Sequence, residues 1–270
     1  MRLDIDGRNC ELESGRSILD AVKKEGLDSI MLSDRPLAAQ IGGEVFNLRF
    51  TPKKDTQIHL LRYGEDMGRR VYERTLQFLF ILAMRKEFPR ARVCVRYSLG
   101  PGLFITVDGM EEPFNEEAAL KVETEMRRLV RLKLPLERRR ISIKEALSFY
   151  EQDGQADKAK LLKWRRFSYF DVYQIDGYMD YFYGEMAPDT SYADVFRVKY
   201  VHDGAVVLLM PRSDAPDVPS DYVDLPKLHA VFHQSDEWGK LMECATVNDL
   251  NTHIQNGTIR ELVRINEALH

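Results

Sequence analysis

The chain has 270 residues, of which 44% are hydrophobic and 30% are charged, and its formal net charge is −4. This composition excludes a disordered chain, and the length is enough for two domains of common size. No apolar stretch reaches the roughly 20 residues of a membrane-spanning helix, and the polar start shows no signal peptide, so we predict a cytoplasmic protein without membrane contact. Cys10, Cys94 and Cys244 are widely spaced, which favours reduced, mainly buried thiols over disulfides or a zinc site.

Positive charge is concentrated in the middle of the sequence. Residues 62–96 contain nine Lys or Arg against four Asp or Glu, and residues 121–144 contain nine against three, whereas residues 171–224 contain three against eleven. A basic middle would attract an anionic partner such as RNA or a nucleotide. The alternative, which the sequence leaves open, is a solvated helix face with i,i+4 ion pairs.

Residues 1–63 alternate between short strands, turns and one helix. Ser17, with Asp20 at the third helical position, caps the helix, and Gly26 ends it. The strand patterns, each bounded by turn residues, fall at residues 3–5, 10–12, 37–41, 44–46 and 57–61. Strands on both sides of one helix within about sixty residues predict a β-grasp domain.

Residues 71–89 should form a central helix that is buried on nearly every side. From Leu76 to Met84 every residue except Gln77 is apolar, charged residues flank this stretch, and Pro89 ends it. Such a helix is the expected core of a layered domain. The strands expected to pack on it lie at residues 92–96, 103–107, 170–174, 179–183, 196–201 and 206–210, the last two joined by an Asp203-Gly204 turn.

Three more helix patterns lie among these strands. Asn115 caps the first, and Ser142 with Glu145 forms a capping box that opens the second. The third is the amphipathic stretch from Lys158 to Trp164. The first of these helices has a predicted buried stripe, which consists of Ala118, Val122, Met126 and Leu129.

Short motifs in this order resemble two domains of aminoacyl-tRNA synthetases. Residues 39–44 are similar to a hairpin of the TGS domain at the front of threonyl-tRNA synthetases. Residues 72–200 resemble the second domain of threonyl- and alanyl-tRNA synthetases, which removes wrongly attached amino acids from tRNA. The motifs that carry this resemblance are Phe88-Pro89, Gly102-Leu103-Phe104 and Leu134-Pro135-Leu136-Glu137-Arg138. It implies an α+β fold in which a β-grasp, TGS-like domain precedes a synthetase-like α+β domain with a central buried helix.

The catalytic residues of the editing family are replaced in this sequence. The family carries a His-x-x-x-His pair on the central helix and a Cys-x-x-x-His pair on a later strand, which bind zinc or transfer protons. Matching the motifs places Arg74 and Phe78 at the first pair and Phe182 and Met186 at the second. None of these side chains acts as a base, and together they make no zinc site. We therefore expect no catalytic residue, no metal and no cofactor in this chain.

The same positions and their neighbours form a candidate ligand pocket, which consists of Arg74, Phe78, Tyr181, Phe182, Tyr183 and Met186. Arg74 would pair with a phosphate or carboxylate, and the rings would stack on a base. Tyr181 and Tyr183 share one face of the predicted strand, and Phe182 lies on the other. The alternative is that these aromatic side chains fill the space left by the absent histidines.

His229 and His233 have the spacing of a helical metal pair. Residues 226–232 alternate more like a strand, however, on which positions four apart are separated by roughly 13 Å. No third ligand is evident, so no metal role is predicted. Neither a phosphate-binding loop nor a nucleophile-elbow motif occurs in the sequence.

The C-terminal motifs resemble a second family, a bacterial group of uridine-kinase-like (phosphoribulokinase/uridine kinase) proteins. These motifs are Pro226-Lys227-Leu228, Trp238, Asp249-Leu250-Asn251 and Glu267-Ala268-Leu269-His270. In that family, a TGS domain and a degenerate synthetase-like domain precede a P-loop kinase. The resemblance implies ATP and Mg²⁺ only for a kinase domain that this chain lacks.

The sequence thus predicts a TGS-like domain at residues 1–63, a degenerate editing-like domain at 64–210, and a connector towards a kinase at 211–270. The predicted function is a non-catalytic regulatory region of a nucleoside kinase. It would sense RNA or a nucleotide and act on an attached kinase domain, and oligomerisation is left open. The alternative is a threonyl-tRNA-synthetase-like module that binds tRNA or edits mischarged tRNA.

Overall fold

The computed structural model describes residues 1–202 and 204–268. It divides into two compact units, the first formed by residues 1–138 and 173–223 and the second by residues 139–172 and the chain from residue 224 onward. The fold is α+β, as predicted. Asp203, Leu269 and His270, on which two of the sequence motifs rely, lie outside the described residues. The domain boundaries at residues 63 and 210 stay a prediction.

A five-stranded mixed sheet opens the first unit. Its strands are β1 (Arg2–Ile5), β2 (Arg8–Glu11), β3 (Ala38–Ile41), β4 (Glu44–Phe46) and β5 (Thr56–Leu61). They run in the order β2-β1-β5-β3-β4, and only the β1–β5 pair is parallel among these strands. Helix α1 (Ile18–Lys24) begins with the predicted Ser17–Asp20 capping box and buries Ile18 and Val22 in the core of this sheet.

The central helix α2 spans Asp66–Glu87 and is buried as predicted. Between Leu76 and Met84, every residue except Gln77 and Ile81 is buried. The helix begins five residues before the predicted start of the segment at residue 71, because the polar first turn was interpreted as a flank. Gly68 lies in that turn, where an added Cβ would be 2.0 Å from the carbonyl oxygen of Arg62. This close approach admits only glycine.

A four-stranded antiparallel sheet also belongs to the first unit. Its strands are β6 (Arg92–Leu99), β7 (Gly102–Asp108), β11 (Arg197–Tyr200) and β12 (Ala205–Leu209), in the order β11-β12-β7-β6. Helix α3 (Glu116–Leu132) packs against α2. The Asn115 cap of α3 and its predicted buried stripe are confirmed, since the Asn115 side chain accepts the Ala118 N–H and all four stripe residues are buried.

Shorter elements fill the rest of the chain before residue 224. They are β8 (Glu137–Ser142), α4 (Ile143–Gln152), α5 (Ala156–Leu162), β9 (Tyr169–Ile175), β10 (Tyr178–Asp180), a 3-10 turn at Thr190–Tyr192, β13 (Pro211–Arg212) and β14 (Ala215–Pro219). Strands β8, β9 and β10 form one sheet in the order β10-β9-β8. Strand β10 is shorter than the predicted strand at 179–183. The Asp180 carboxylate accepts the Tyr181 N–H at 2.8 Å, so this N–H is not available for a backbone hydrogen bond to the neighbouring strand.

Three helices lie between residues 226 and 268, and the first of them corrects the prediction of a strand at 226–232. They are α6 (Pro226–Leu241), α7 (Val247–Asn256) and α8 (Ile259–Ala268). Pro226 stands in the first turn of α6, where proline favours a helix, so the short alternating pattern was misleading. His229 and His233 therefore lie one turn apart. Among the described residues, no group of three or more His, Cys, Asp or Glu is placed to hold a metal ion.

Two properties of the described residues bear on the composition-based predictions. None of their helices combines the length and the apolar character that crossing a membrane requires. The cysteines are free thiols, of which Cys10 is buried and Cys244 is half-buried, whereas Cys94 on β6 is exposed. The expectation of mainly buried thiols fails at Cys94 because β6 presents one of its faces to solvent.

Candidate functional site

Helix α2 places Arg74 and Phe78 one turn apart, facing the segment that follows β10. The Arg74 Nε–H donates to the carbonyl oxygen of Glu185 at 2.9 Å. Gly184 lies against the same guanidinium, since a Cβ added there would be 3.0 Å from Arg74 Cζ, and its φ is +108°. Burial lowers the pKa of Arg74, although an arginine stays protonated near neutral pH. Arg74 thus fixes the backbone at residues 184–185.

Tyr173 on β9 fixes the same segment from the other side. Its hydroxyl donates to Glu185 Oε2 at 2.9 Å and accepts the Met186 N–H at 3.1 Å. Arg138 forms an ion pair with the same carboxylate. Burial raises the pKa of Tyr173, and the Glu185 charge adds to this effect. The Tyr173 hydroxyl therefore stays protonated at neutral pH and acts as a structural bridge.

Phe78 is the centre of an aromatic cluster. Its ring is fully buried and stacks on Tyr178 with ring centroids 5.9 Å apart, and it meets Phe182 edge-on at 5.7 Å. The Arg85 guanidinium covers the Tyr178 ring at 4.3 Å. Such contacts are typical of core aromatic packing. Phe78 stands at the position where the editing-family pattern has the second histidine of its helical pair.

Two polar side chains that the sequence gave no reason to select hold the residues around Met186. The Thr75 hydroxyl on α2 accepts the Ala187 N–H at 2.9 Å, and the Asn47 amide donates to the Met186 carbonyl at 2.8 Å. Met186 itself is fully buried. Thr75 directly precedes the apolar run that begins at Leu76, and it is nearly fully buried.

The remaining candidate pocket residues are more open. Tyr183 is 73% exposed, and its ring lies 5.7 Å from that of half-buried Tyr181, with the planes at 76°. The prediction placed Tyr181 and Tyr183 on one face of a strand and Phe182 on the other, but β10 ends at Asp180, so these three residues lie outside the strand. The structure thus brings Phe78 and Phe182 into contact and leaves Tyr183 at the surface. Ligand binding by these residues stays a prediction.

The basic stretches of the first unit are extensively paired with carboxylates. On α3, Lys121 pairs with Glu117 at 2.9 Å and Arg127 with Glu123 at 2.7 Å, both at i,i+4 spacing. On the β6–β7 hairpin, Arg92 pairs with Asp108 at 2.7 Å. These contacts match the solvated-face alternative, and the prediction of an anionic partner stays untested.

Replacing Tyr173 with phenylalanine should destabilise this site, because it leaves the Met186 N–H and the Glu185 carboxylate without their shared partner. We expect a loss of about 1–3 kcal/mol in the free energy of unfolding. Urea denaturation followed by far-UV circular dichroism measures the effect. The matched control is Tyr183→Phe at an exposed position, which should change the same quantity by less than about 0.5 kcal/mol. Equal effects of the two variants would contradict the bridging role.

Comparison with known proteins gives one consistent result, although no family model matches the chain. The sequence is 25% identical over 194 residues to a threonine–tRNA ligase of Clostridium kluyveri. It is 27% identical over 175 residues to that of Carboxydothermus hydrogenoformans and 28% identical over 160 residues to that of Acetivibrio thermocellus. These relatives are consistently threonine–tRNA ligases. The matches cover 72%, 62% and 58% of this chain but only 30%, 26% and 24% of the relatives, so the chain spans less than a third of their length.

These relatives overturn the prediction of a nucleoside-kinase regulatory region and support the synthetase-like alternative. Two of the motifs that suggested a uridine kinase coincide with helix starts in the structure. Pro226 begins α6, and Asp249 forms a capping box with Thr246 at the start of α7. Because such helix-start residues recur in unrelated proteins, they carry little information about family. The predictions of an attached kinase domain, ATP and Mg²⁺ depended on that function, so we withdraw them as well.

Proposed function

We propose that this chain is a tRNA-binding module of the threonyl-tRNA-synthetase type that does not hydrolyse the aminoacyl ester. The observation that carries this proposal is the similarity to threonine–tRNA ligases over as many as 194 residues. Those relatives are named for threonine and tRNA, and tRNA is the partner that a non-catalytic module would retain.

The architecture of the first unit supports the finer domain assignment. The mixed sheet order β2-β1-β5-β3-β4, with one helix after the first hairpin, is the arrangement expected of a β-grasp, TGS-like domain at residues 1–63. The buried helix α2 beside a four-stranded antiparallel sheet supports a synthetase second-domain fold at 64–210. Residues 211–223 then continue the first unit, and the described residues from 224 onward carry helices α6, α7 and α8 in the second.

The chemistry of the candidate site supports binding without hydrolysis. Arg74 is protonated and engaged with the Glu185 carbonyl, and Phe78 is buried among other rings. Neither side chain accepts a proton from an attacking water, which hydrolysis of an ester requires. Exposed Tyr183 and its neighbour Tyr181 are the part of the predicted pocket that a nucleotide would reach.

Fluorescence anisotropy with labelled threonine tRNA tests the binding. Each phosphate contact releases counterions, so the logarithm of the association constant should fall linearly with the logarithm of the salt concentration. We expect a slope of about −0.7 to −0.9 for each phosphate contact, and saturable binding at about 50 mM salt.

A DNA hairpin with the stem sequence of the same tRNA acceptor arm is the matched control, because it carries phosphates without the shape or the 2′-hydroxyls of RNA. If the chain is a tRNA-binding module, it should bind the tRNA more tightly than this DNA hairpin. Absence of binding at low salt, or an affinity that salt does not change, would contradict the proposed function.

A further inference from the structure

A short segment of the second unit combines positive charge with aromatic side chains. Residues 158–170, KAKLLKWRRFSYF, contain five Lys or Arg and four aromatic residues but no Asp or Glu. In the structure this segment includes most of α5, the turn after it and the start of β9.

Two of these rings form an exposed pair. Phe167 is 61% exposed and Tyr169 is 38% exposed, and their centroids lie 5.7 Å apart with the planes tilted by 41°. Phe170, by contrast, is buried. Exposed neighbouring rings of this size cost free energy in water unless a partner covers them, so they mark a contact surface.

One cation lies against the exposed ring pair, and two more precede it in the sequence. The Arg140 guanidinium lies 4.1 Å from the centroid of the Tyr169 ring, and two hydrogen bonds to Asp171, of 2.8 and 3.2 Å, fix its position. Lys163 and Arg166, which come four residues and one residue before Phe167, are exposed. We call Arg140, Lys163, Arg166, Phe167 and Tyr169 the stacking patch.

We propose that the stacking patch binds unpaired nucleotides of RNA, with bases stacked on Phe167 and Tyr169 and phosphates paired with the exposed cations Lys163 and Arg166. This inference rests on the proposed tRNA-binding function and adds a specific subsite to it. An apolar peptide would use the rings but would not benefit from the exposed cations Lys163 and Arg166. Paired bases do not present their faces, so the structure favours single-stranded over duplex RNA.

The test compares ring variants with a matched control. The variants are Phe167→Ala, Phe167→Leu and Tyr169→Ala, and the control is Phe50→Ala. Phe50 is also partly exposed, at 37%, and also pairs with a neighbouring ring, that of Phe46 at 4.5 Å, but it lies in the first unit. The probes are a fluorescein-labelled RNA of about 12 unpaired nucleotides and a blunt-ended RNA duplex of similar length, which should bind more weakly.

Loss of one stacked base should weaken binding of the unpaired RNA by about 5- to 100-fold in each patch variant. Phe167→Leu keeps an apolar side chain but removes the aromatic face, so it should weaken binding about as much as Phe167→Ala. The control should stay within about twofold of the native affinity. The salt slope should not change in any variant, because the number of phosphate contacts is unaffected.

The two proposals fail in distinguishable ways. If the native chain binds tRNA but the patch variants bind the unpaired RNA as tightly as the native chain does, the stacking patch is wrong and the tRNA-binding function stands. The same holds if Phe167→Leu retains native affinity, or if the native chain binds tRNA but not the unpaired RNA. If the native chain binds neither RNA, both proposals are wrong.

Discussion

Replacing Phe78 with alanine should cost about 3–5 kcal/mol in stability, because truncating a core aromatic side chain leaves a cavity as well as losing its apolar contacts. Phe78 is fully buried, and it contacts both Tyr178 and Phe182. If these rings were instead the walls of an open ligand pocket, the truncation would enlarge the pocket at a much lower cost. The size of the loss in stability therefore distinguishes a packed aromatic core from an open ligand pocket.

Hydrogen exchange of α2 peptides, followed by mass spectrometry, is the suitable measurement for this variant. The chain has two compact units, and both tryptophans, Trp164 and Trp238, lie in the second, so tryptophan fluorescence does not report on α2. We expect much faster exchange in α2 of Phe78→Ala. Leu120→Ala, at a site on α3 that is 65% exposed, should exchange like the native chain. Native-like exchange in Phe78→Ala would contradict the packing interpretation.

Breaking the ion pair between Arg35 and Asp194 should cost about 3 kcal/mol, at the low end for buried pairs because the Asp194 side chain is 33% exposed. The Arg35 guanidinium is nearly buried and donates to both carboxylate oxygens of Asp194, at 2.7 and 3.0 Å, and to the Tyr192 carbonyl at 3.2 Å. These bonds connect two segments of the first unit that are about 160 residues apart in sequence. Removing one partner leaves the other charge without compensation.

A double-mutant cycle with Arg35→Met, Asp194→Asn and the double variant isolates this interaction. We expect a coupling free energy of about 1–3 kcal/mol, and a double variant that is no less stable than the worse single variant. The control cycle uses Arg212 and Asp214, a pair at 2.7 Å whose side chains are both about two-thirds exposed. It should give less than about 1 kcal/mol. Equal couplings in the two cycles would contradict a special role for the Arg35 pair.

Local signals allowed much of the fold to be predicted from the sequence. The Ser17 capping box, the Asn115 cap and the apolar run from Leu76 to Met84 each depend on contacts within a few residues, and the structure contains all three elements. Helix α6 was not predicted, because a local signal there was misleading. The strand prediction for residues 226–232 relied on a short alternating pattern, although proline at the first position of this stretch favours the start of a helix.

The candidate site was harder to predict because its contacts are long-range. Motif matching selected Arg74, Phe78 and Met186, which do lie in or beside the segment at residues 184–187. It gave no indication of Tyr173 or Asn47, which also bind this segment. Asn47 contacts a residue 139 positions away, and no pattern within either segment encodes that pairing. The resemblance to uridine kinases was misleading because it relied in part on short motifs, at Pro226 and Asp249, that stand at helix starts. Such residues occur at helix starts in unrelated proteins.

The most direct test of the central claim is filter retention of threonine tRNA that carries a radiolabelled, wrongly attached amino acid. A protein that binds tRNA and does not hydrolyse the ester retains the label on the filter, at a level that falls as salt increases. We expect this retention, and we expect the label to stay attached to the RNA during incubation. Release of the labelled amino acid faster than in a protein-free control, or no retention of the tRNA at low salt, would contradict it.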